Sequence, residues 1–400
     1  MFILLIRRVT INQTDFFQDE KPEEYEKVLH ELDRRLSGDW SFASGKVLGS
    51  MCTRPHPVAV QAFERYIESN IGDAGLVPGL IELETEICSM MGGWWGNPKV
   101  SGRLITGGTE ANILALWTAK TLAAPGRREV ILPQSAHFSL EKAASILNLE
   151  LIKVPIDALG RADLDTARAA VGPKTLALVA IAGSTSLGAV DDLPAWAQLA
   201  LDEGLYLHID ASFGGFVLPF LENTGRSSPD FLWREGYSSV AVDPHKMGRG
   251  PIPSGLLLWA DEGLAQATSR SISYLSGGRT RLNTVVGTRS GASVAAVWTV
   301  MRHLGERGYT QLVDRVMTDA EWLTSALQEI PGVEPVLANP VLNVVGVRPL
   351  RRRAAEISQS LRQKGWALSQ WNDFFRIVVM PHVERRVLKV FLSDLQEVLS

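Results

Sequence analysis

The chain has 400 residues, 46% of them hydrophobic and 21% charged, with 40 basic residues against 44 acidic ones and a net charge of −4. That composition excludes disorder as the organising principle, and its mild acidity excludes the basic stripe of a dedicated nucleic-acid binder. At about 100–200 residues per domain, the length suggests two or three domains.

Two cysteines, Cys52 and Cys88, build no disulfide framework and suit a reducing cytosol. The first apolar run, Phe2 to Ile6, is too short for a signal peptide, and Arg7 and Arg8 follow it instead of preceding it. No run approaches the ~20 apolar residues of a membrane span. A soluble cytoplasmic protein with neither membrane nor nucleic-acid partners is expected.

Residues 22–37 read as an amphipathic helix. Tyr25, Val28, Leu29, Leu32 and Leu36 fall at helical spacing, Pro22 suits the first turn and Gly38 the stop. The apolar stripe needs a partner, either its own domain or a second subunit. From about residue 100, short apolar strands alternate with helices. The strands are Glu129–Pro133, Glu150–Pro155, Thr175–Ala182, Leu205–Asp210, Ser238–Asp243 and Gly255–Ala260; Ser139–Asn148 and Leu193–Glu203 are helical. After Gly291 two helices, roughly 291–304 and 309–329, lead into strand, helix, strand and helix. Those strands are Val341–Val347 and Phe374–Met380, and the last helix is about Glu384–Leu399. Arg351, Arg352 and Arg353 read as a solvated helix start. The expected fold class is α/β: an N-terminal helical arm over 1–48, a large domain with a mostly parallel sheet flanked by helices over 49–290, and a smaller C-terminal α+β domain over 291–400.

Three motifs carry chemistry. In Thr106-Gly107-Gly108-Thr109-Glu110-Ala111-Asn112 a strand runs into two glycines and a helix start, whose free N–H groups attract phosphate. The spacing matches neither the dinucleotide fingerprint nor a P-loop. In His208-Ile209-Asp210-Ala211-Ser212 an acid ends an apolar strand, at the edge where open α/β sheets bind ligands. In Asp243-Pro244-His245-Lys246 a lysine follows another strand. Such an amine becomes a Schiff-base former when burial and cationic neighbours depress its pKa. A phosphate cradle, a strand-end acid and a strand-end lysine together are what pyridoxal phosphate requires.

These motifs, with Ala136-His137-Phe138-Ser139, resemble the group II pyridoxal phosphate-dependent decarboxylases of fold-type I. Gly49-Ser50-Met51-Cys52, Asn70-Ile71-Gly72-Asp73, Pro251-Ile252-Pro253-Ser254-Gly255 and Arg376 to His382 are similar to the archaeal L-tyrosine/L-aspartate decarboxylases. The resemblance implies pyridoxal 5′-phosphate as cofactor and a homodimer with shared active sites. It implies that Lys246 bonds the cofactor, Asp210 keeps the ring nitrogen protonated, and His137 stacks on the ring. Gly108, Thr109 and His245 match phosphate-side positions, and Thr185 lies beside the ring substituents. Tyr274, in a Ser/Gly/Arg-rich loop over 268–281, covers the site and supplies a proton. Thr288 reaches the neighbouring subunit's phosphate, with Arg289 a second candidate. Arg376 binds a substrate carboxylate, either the leaving one or one on the side chain. Cys52 lines the substrate mouth. Ser212 departs from the family's usual alanine and adds a hydroxyl that needs a partner. The implied reactions are aspartate to β-alanine for coenzyme A synthesis, tyrosine to tyramine for methanofuran synthesis, or both. Glutamate decarboxylation, a sphingosine phosphate lyase-like carbon–carbon cleavage and a silent scaffold are the alternatives. No metal site is expected.

Overall fold

The computed structural model describes residues 22–400. Part of the expected arm, residues 1–21 with the Phe2-to-Ile6 run, lies outside the described residues. The expected first helix forms as Pro22–Leu36, with Glu23 and Glu24 in its first turn and Arg34 and Arg35 in its last, matching the helix dipole. Arg34 and Arg35 both bond Glu31. The chain divides between Ser41 and Phe42 into two units. Residues 42–48, expected in the arm, belong to the second: Leu48 is fully buried and its N–H donates to Ala367 O at 2.9 Å.

The second unit is built on a seven-stranded sheet. Its strands are β1 (Ser101–Ile105), β2 (Glu129–Pro133), β3 (Glu150–Val154), β4 (Thr175–Ile181), β5 (Tyr206–Asp210), β6 (Ser239–Val242) and β7 (Gly255–Trp259). The order is β1-β7-β6-β5-β4-β2-β3. β3, β2, β4, β5 and β6 run parallel, while β7 is antiparallel to both neighbours. β4 to β7 are buried at every position, as continuous apolar runs covered on both faces require. Sequence spacing placed these strands to within a residue or two. It did not show the reversal of β7, because hydrophobic runs carry no direction.

The pairings Ile181↔Asp210 and Val242↔Leu256, with Ile105↔Gly255, put the ends of β1, β4, β5 and β6 and the start of β7 on one edge. All three chemical motifs leave the sheet there.

Residues 268–281, expected as a loop, carry a two-stranded ribbon of β8 (Arg270–Ile272) and β9 (Thr280–Leu282). The two expected helices after Gly291 are one run, Gly291–Gln328, broken without a loop at Gly305, whose φ of 55° only glycine adopts readily. A second sheet, β10 (Val333–Pro335), β11 (Val344–Pro349), β12 (Ser369–Gln370) and β13 (Phe375–Val378), is wholly antiparallel. Helices Ala354–Gln363 and Arg385–Leu399 accompany it, and Arg353 caps the first, as the basic run predicted. One apolar core runs from Leu178, Ile209 and Val242 through Val294 to Val345, Ile377 and Phe391.

Candidate active site

The shared sheet edge opens into a cavity of about 360 Å³. Eight expected site residues line it: Gly108, Thr109, His137, Thr185, Asp210, Ser212, His245 and Lys246.

One end is the start of helix Gly108–Leu122, whose cap, Gly107, places no side chain over the first N–H groups. A Cβ at residue 108 would stand 2.4 Å from Ser212 Oγ and 3.1 Å from Asp243 Oδ2, so only glycine fits. The Ser212 hydroxyl is buried and has no hydrogen-bond partner. A buried orphan donor costs about 1–3 kcal/mol. This unspent hydroxyl beside a helix N-terminus fits the phosphate of pyridoxal phosphate. His245 Nδ1 meets the Ser254 carbonyl, which fixes the ring at the same end.

Asp210, 6% exposed, lies at the end of β5. Its Oδ2 accepts from Asn112 Nδ2 at 2.9 Å and its Oδ1 from Ser212 N at 3.1 Å. Burial pushes its pKa up, but the bonds from Ser212 and Asn112, with His208 and Lys246 nearby, hold it below the usual carboxylate value. Asn112 Nδ2 also donates to Ser139 Oγ at 2.8 Å. Both Asn112 donors are thereby spent, so its Oδ1 must accept from His208 Nε2 at 2.8 Å. His208 Nδ1 then accepts from Ser239 Oγ at 2.8 Å, and burial lowers the His208 pKa to about 4, leaving it neutral. Ser139 Oγ, accepting from Asn112, donates to His137 Nδ1 at 2.9 Å. Burial likewise lowers the His137 pKa. Its proton therefore sits on Nε2.

Lys246 Nζ stands 2.9 Å from Asp243 Oδ2, with the lysine side chain 18% exposed and the aspartate 3%. Burial disfavours the ammonium, but Asp243 and then Asp210 outweigh it and raise the amine above its ordinary pKa. The sequence suggested the opposite direction. Lys246 has anionic neighbours, so its free amine is held as the cation. Asp243 Oδ1 is buried without a partner, a second unspent group in the cavity.

Four expected residues lie outside the cavity lining. Cys52 is half-buried; burial raises its thiol pKa, and the charges of Lys246 and Asp243 act on it. Tyr274 is 85% exposed, between β8 and β9. Thr288 is exposed; the segment before it is tied down by Glu110 Oε1, which accepts from Val285 N and Val286 N. Arg376, 4% exposed on β13, donates to the carbonyls of Thr185 and Gly49 and to Ser369 Oγ. Its Nε is unpartnered, it faces the Trp371 ring at 5.2 Å, and burial lowers its pKa to about 10. It has no carboxylate partner among the described residues. Arg289 is a correction: it is 7% exposed and paired with Glu84, and it bonds Leu104 O at 2.9 Å. Its charge is already spent inside its own chain.

Asn112, His208 and Asp243 were not singled out as site residues. Asn112 and His208 carried a signal, since each is a polar residue inside an apolar stretch and so needs a partner. Asp243 stood three residues before Lys246.

The pyridoxal-dependent decarboxylase conserved domain matches residues 22–348. L-aspartate decarboxylase of Thermococcus kodakarensis is 42% identical over 380 residues, covering 95% of this chain and 98% of that one. The L-aspartate/L-glutamate decarboxylase of Pyrococcus horikoshii is 40% identical, covering 94% and 97%. A probable L-tyrosine/L-aspartate decarboxylase of Methanothermobacter thermautotrophicus is 41% identical, covering 89% and 98%. Among solved structures, sphingosine-1-phosphate lyase of Burkholderia pseudomallei superposes with a TM-score of 0.86 at 26% identity, covering 95% and 90%. Glutamate decarboxylase of Lactobacillus brevis superposes at 0.83 and 21% identity, covering 95% and 92%, a likeness of fold alone. The chain belongs to the pyridoxal-dependent decarboxylase family, and its cofactor is pyridoxal 5′-phosphate.

Proposed function

We propose that this amino acid decarboxylase acts on L-aspartate, releasing carbon dioxide and β-alanine. The observation that carries the reading is Arg376: a buried guanidinium with an unpartnered Nε and no carboxylate among the described residues, held by the carbonyl of the cavity residue Thr185. Buried charges require a counter-ion, and the carbonyl and hydroxyl acceptors on its terminal nitrogens carry no charge, so a carboxylate near Nε supplies what is missing. A substrate with a second carboxylate meets that demand. Relatives named for aspartate support the same choice.

Bound pyridoxal phosphate supplies the electron sink for the pair released when the Cα–carboxylate bond breaks. The chain's own groups do the rest. Lys246 holds the cofactor's aldehyde carbon, and Asp210, fixed as an anion, holds a proton at the ring nitrogen. Gly108, Thr109, Ser212 and His245 hold the phosphate. His137, fixed as the neutral Nε2–H form, lies against the ring. Thr288 serves a neighbouring subunit in a homodimer with shared sites, and Tyr274 covers the site and delivers the proton to Cα. Cys52 borders the substrate entrance. Residues 49–290 form the cofactor domain and 291–400 the smaller one. The enzyme works in the cytoplasm and supplies β-alanine for coenzyme A.

Tyrosine decarboxylation toward methanofuran is the second reading, favoured by relatives named for both substrates. A product assay across aspartate, glutamate, tyrosine, phenylalanine and tryptophan decides. Tyramine formed faster than β-alanine overturns the aspartate reading.

A further inference from the structure

A second cavity, of about 340 Å³, shares no lining residue with the active site. Arg54, Arg249 and Arg315 line it, together with Thr53, His382 and Glu384. Glu384 is the one carboxylate in that lining, and it is taken by Arg386 at 2.6 Å. No ion pair claims Arg54, Arg249 or Arg315 among the described residues.

His382 Nε2 donates to the Val47 carbonyl at 2.9 Å, and Nδ1 pairs with Thr53 Oγ1 at 2.9 Å. Burial holds the imidazole below its ordinary pKa, so the cationic groups of the cavity are the guanidiniums. The site's field is visible in its titratable groups. Burial, then Arg315 and Arg54, push Arg249 below its ordinary pKa, and the same arginines add to the burial that lowers His382.

Three guanidiniums around one small concavity repel one another, and the single carboxylate, bonded to Arg386 and attracting Arg315, offsets them only in part. We propose that this cavity binds a phosphate dianion, free or as the monoester of a small organic ligand. Guanidinium forks match phosphate oxygens bidentately, and a dianion offsets what a monoanion would leave. The volume is at the lower end for small-molecule sites, which suits a phosphate or compact ester over a nucleotide.

The site also touches the turn that carries Lys246. Arg249 N donates to Lys246 O at 3.2 Å, and Arg249 O accepts from His56 N at 2.8 Å. Arg249 Nε donates to Arg54 O at 3.1 Å, and Arg315, on helix Gly291–Gln328, donates to Pro381 O at 2.8 Å. A bound dianion ties these segments together and stabilises the folded chain.

The test uses the holoenzyme, whose cofactor already fills the active-site phosphate position. Titration calorimetry and melting curves are run with inorganic phosphate, glycerol phosphate and succinate, at constant ionic strength. Saturable binding of phosphate or its ester at one site per chain, with a raised melting temperature, is expected; the two arms distinguish the free ion from the ester. In Arg315→Gln and Arg54→Gln, binding weakens about tenfold or more, the loss expected for one charge-assisted hydrogen bond. Cofactor content stays unchanged. Absence of saturable binding, equal affinity for succinate, or wild-type affinity in both variants overturns the proposal.

Discussion

Asn112 is the member of the active-site network whose removal the structure prices most directly. Asn112→Leu keeps the branched heavy-atom shape with bulkier ends, so it leaves no cavity. It strips the Asp210 carboxylate of its 2.9 Å donor and leaves His208 Nε2 without an acceptor. A hydrogen bond to a charged group is worth about 1.5–3 kcal/mol, and a stranded buried N–H costs about 1–3 kcal/mol, so the loss is about 2.5–6 kcal/mol. Against a typical stability of about 5–15 kcal/mol, the variant is marginal but measurable. Urea unfolding of the cofactor-free protein at neutral pH is the assay, because no ligand then offsets the loss. A double-mutant cycle with Asp210→Asn, which still accepts a neutral bond, isolates the share owed to the charge, expected at about 1–1.5 kcal/mol of coupling. A loss under about 1 kcal/mol, or independent effects in the cycle, refutes the derived hydrogen-bond chain.

Two further predictions concern neighbours of that chain. His208 has a folded pKa of about 4 against 6.5 unfolded, so the unfolded chain binds its proton more tightly. The His208 contribution is present above pH 6.5 and is lost as pH falls toward 4, an increment of about 3 kcal/mol; in His208→Gln that part of the acid slope disappears from the unfolding curves. Lys246→Met loses turnover and the cofactor's covalent absorption band, and in the cofactor-free state strands Asp243, at about 3–5 kcal/mol. Because Lys246 is raised above 10.5, that wild-type advantage is present below pH 10.5 and is lost as pH rises through the folded pKa. A constant difference across that range contradicts the Lys246–Asp243 pairing.

The sheet was legible because each strand is an apolar run bounded by glycines or polar turns, as in Thr175–Ile181 before Gly183 and Tyr206–Asp210 after Gly204. The cavity residues were legible because chemistry clusters at strand ends, and a sheet edge collects what the sequence scatters. What stayed hidden depends on partners far along the chain. Asn112 bonds Asp210, 98 positions away, and no local pattern announces that distance. The raised Lys246 amine hinges on which way the Asp243 side chain turns. The ribbon of β8 and β9 lies in a Ser/Gly/Arg-rich stretch whose composition favours a loop; cross-strand pairing overrides it.

The pairing of Arg289 with Glu84 sharpens the question of shared sites. A substitution at Arg289 leaves Glu84 buried and unpaired, so inactivity there reports folding and says nothing about a neighbouring subunit. Thr288 is the cleaner probe: it is exposed, and the segment before it is held by Glu110. Thr288→Glu places a carboxylate where the proposed homodimer brings a phosphate, and the two repel. Two dead chains, Lys246→Ala and Thr288→Glu, are unfolded and refolded together. If Thr288 acts across the interface, each mixed dimer carries one doubly damaged site and one intact site. Random pairing makes about half the dimers mixed, so activity returns to about a quarter of wild type. If each subunit builds its whole site, every site in the mixture keeps one lesion and activity stays at zero. That outcome, with mixed dimers confirmed by mass, removes Thr288 from the neighbour's site and leaves the roles of Lys246 and Asp210 standing.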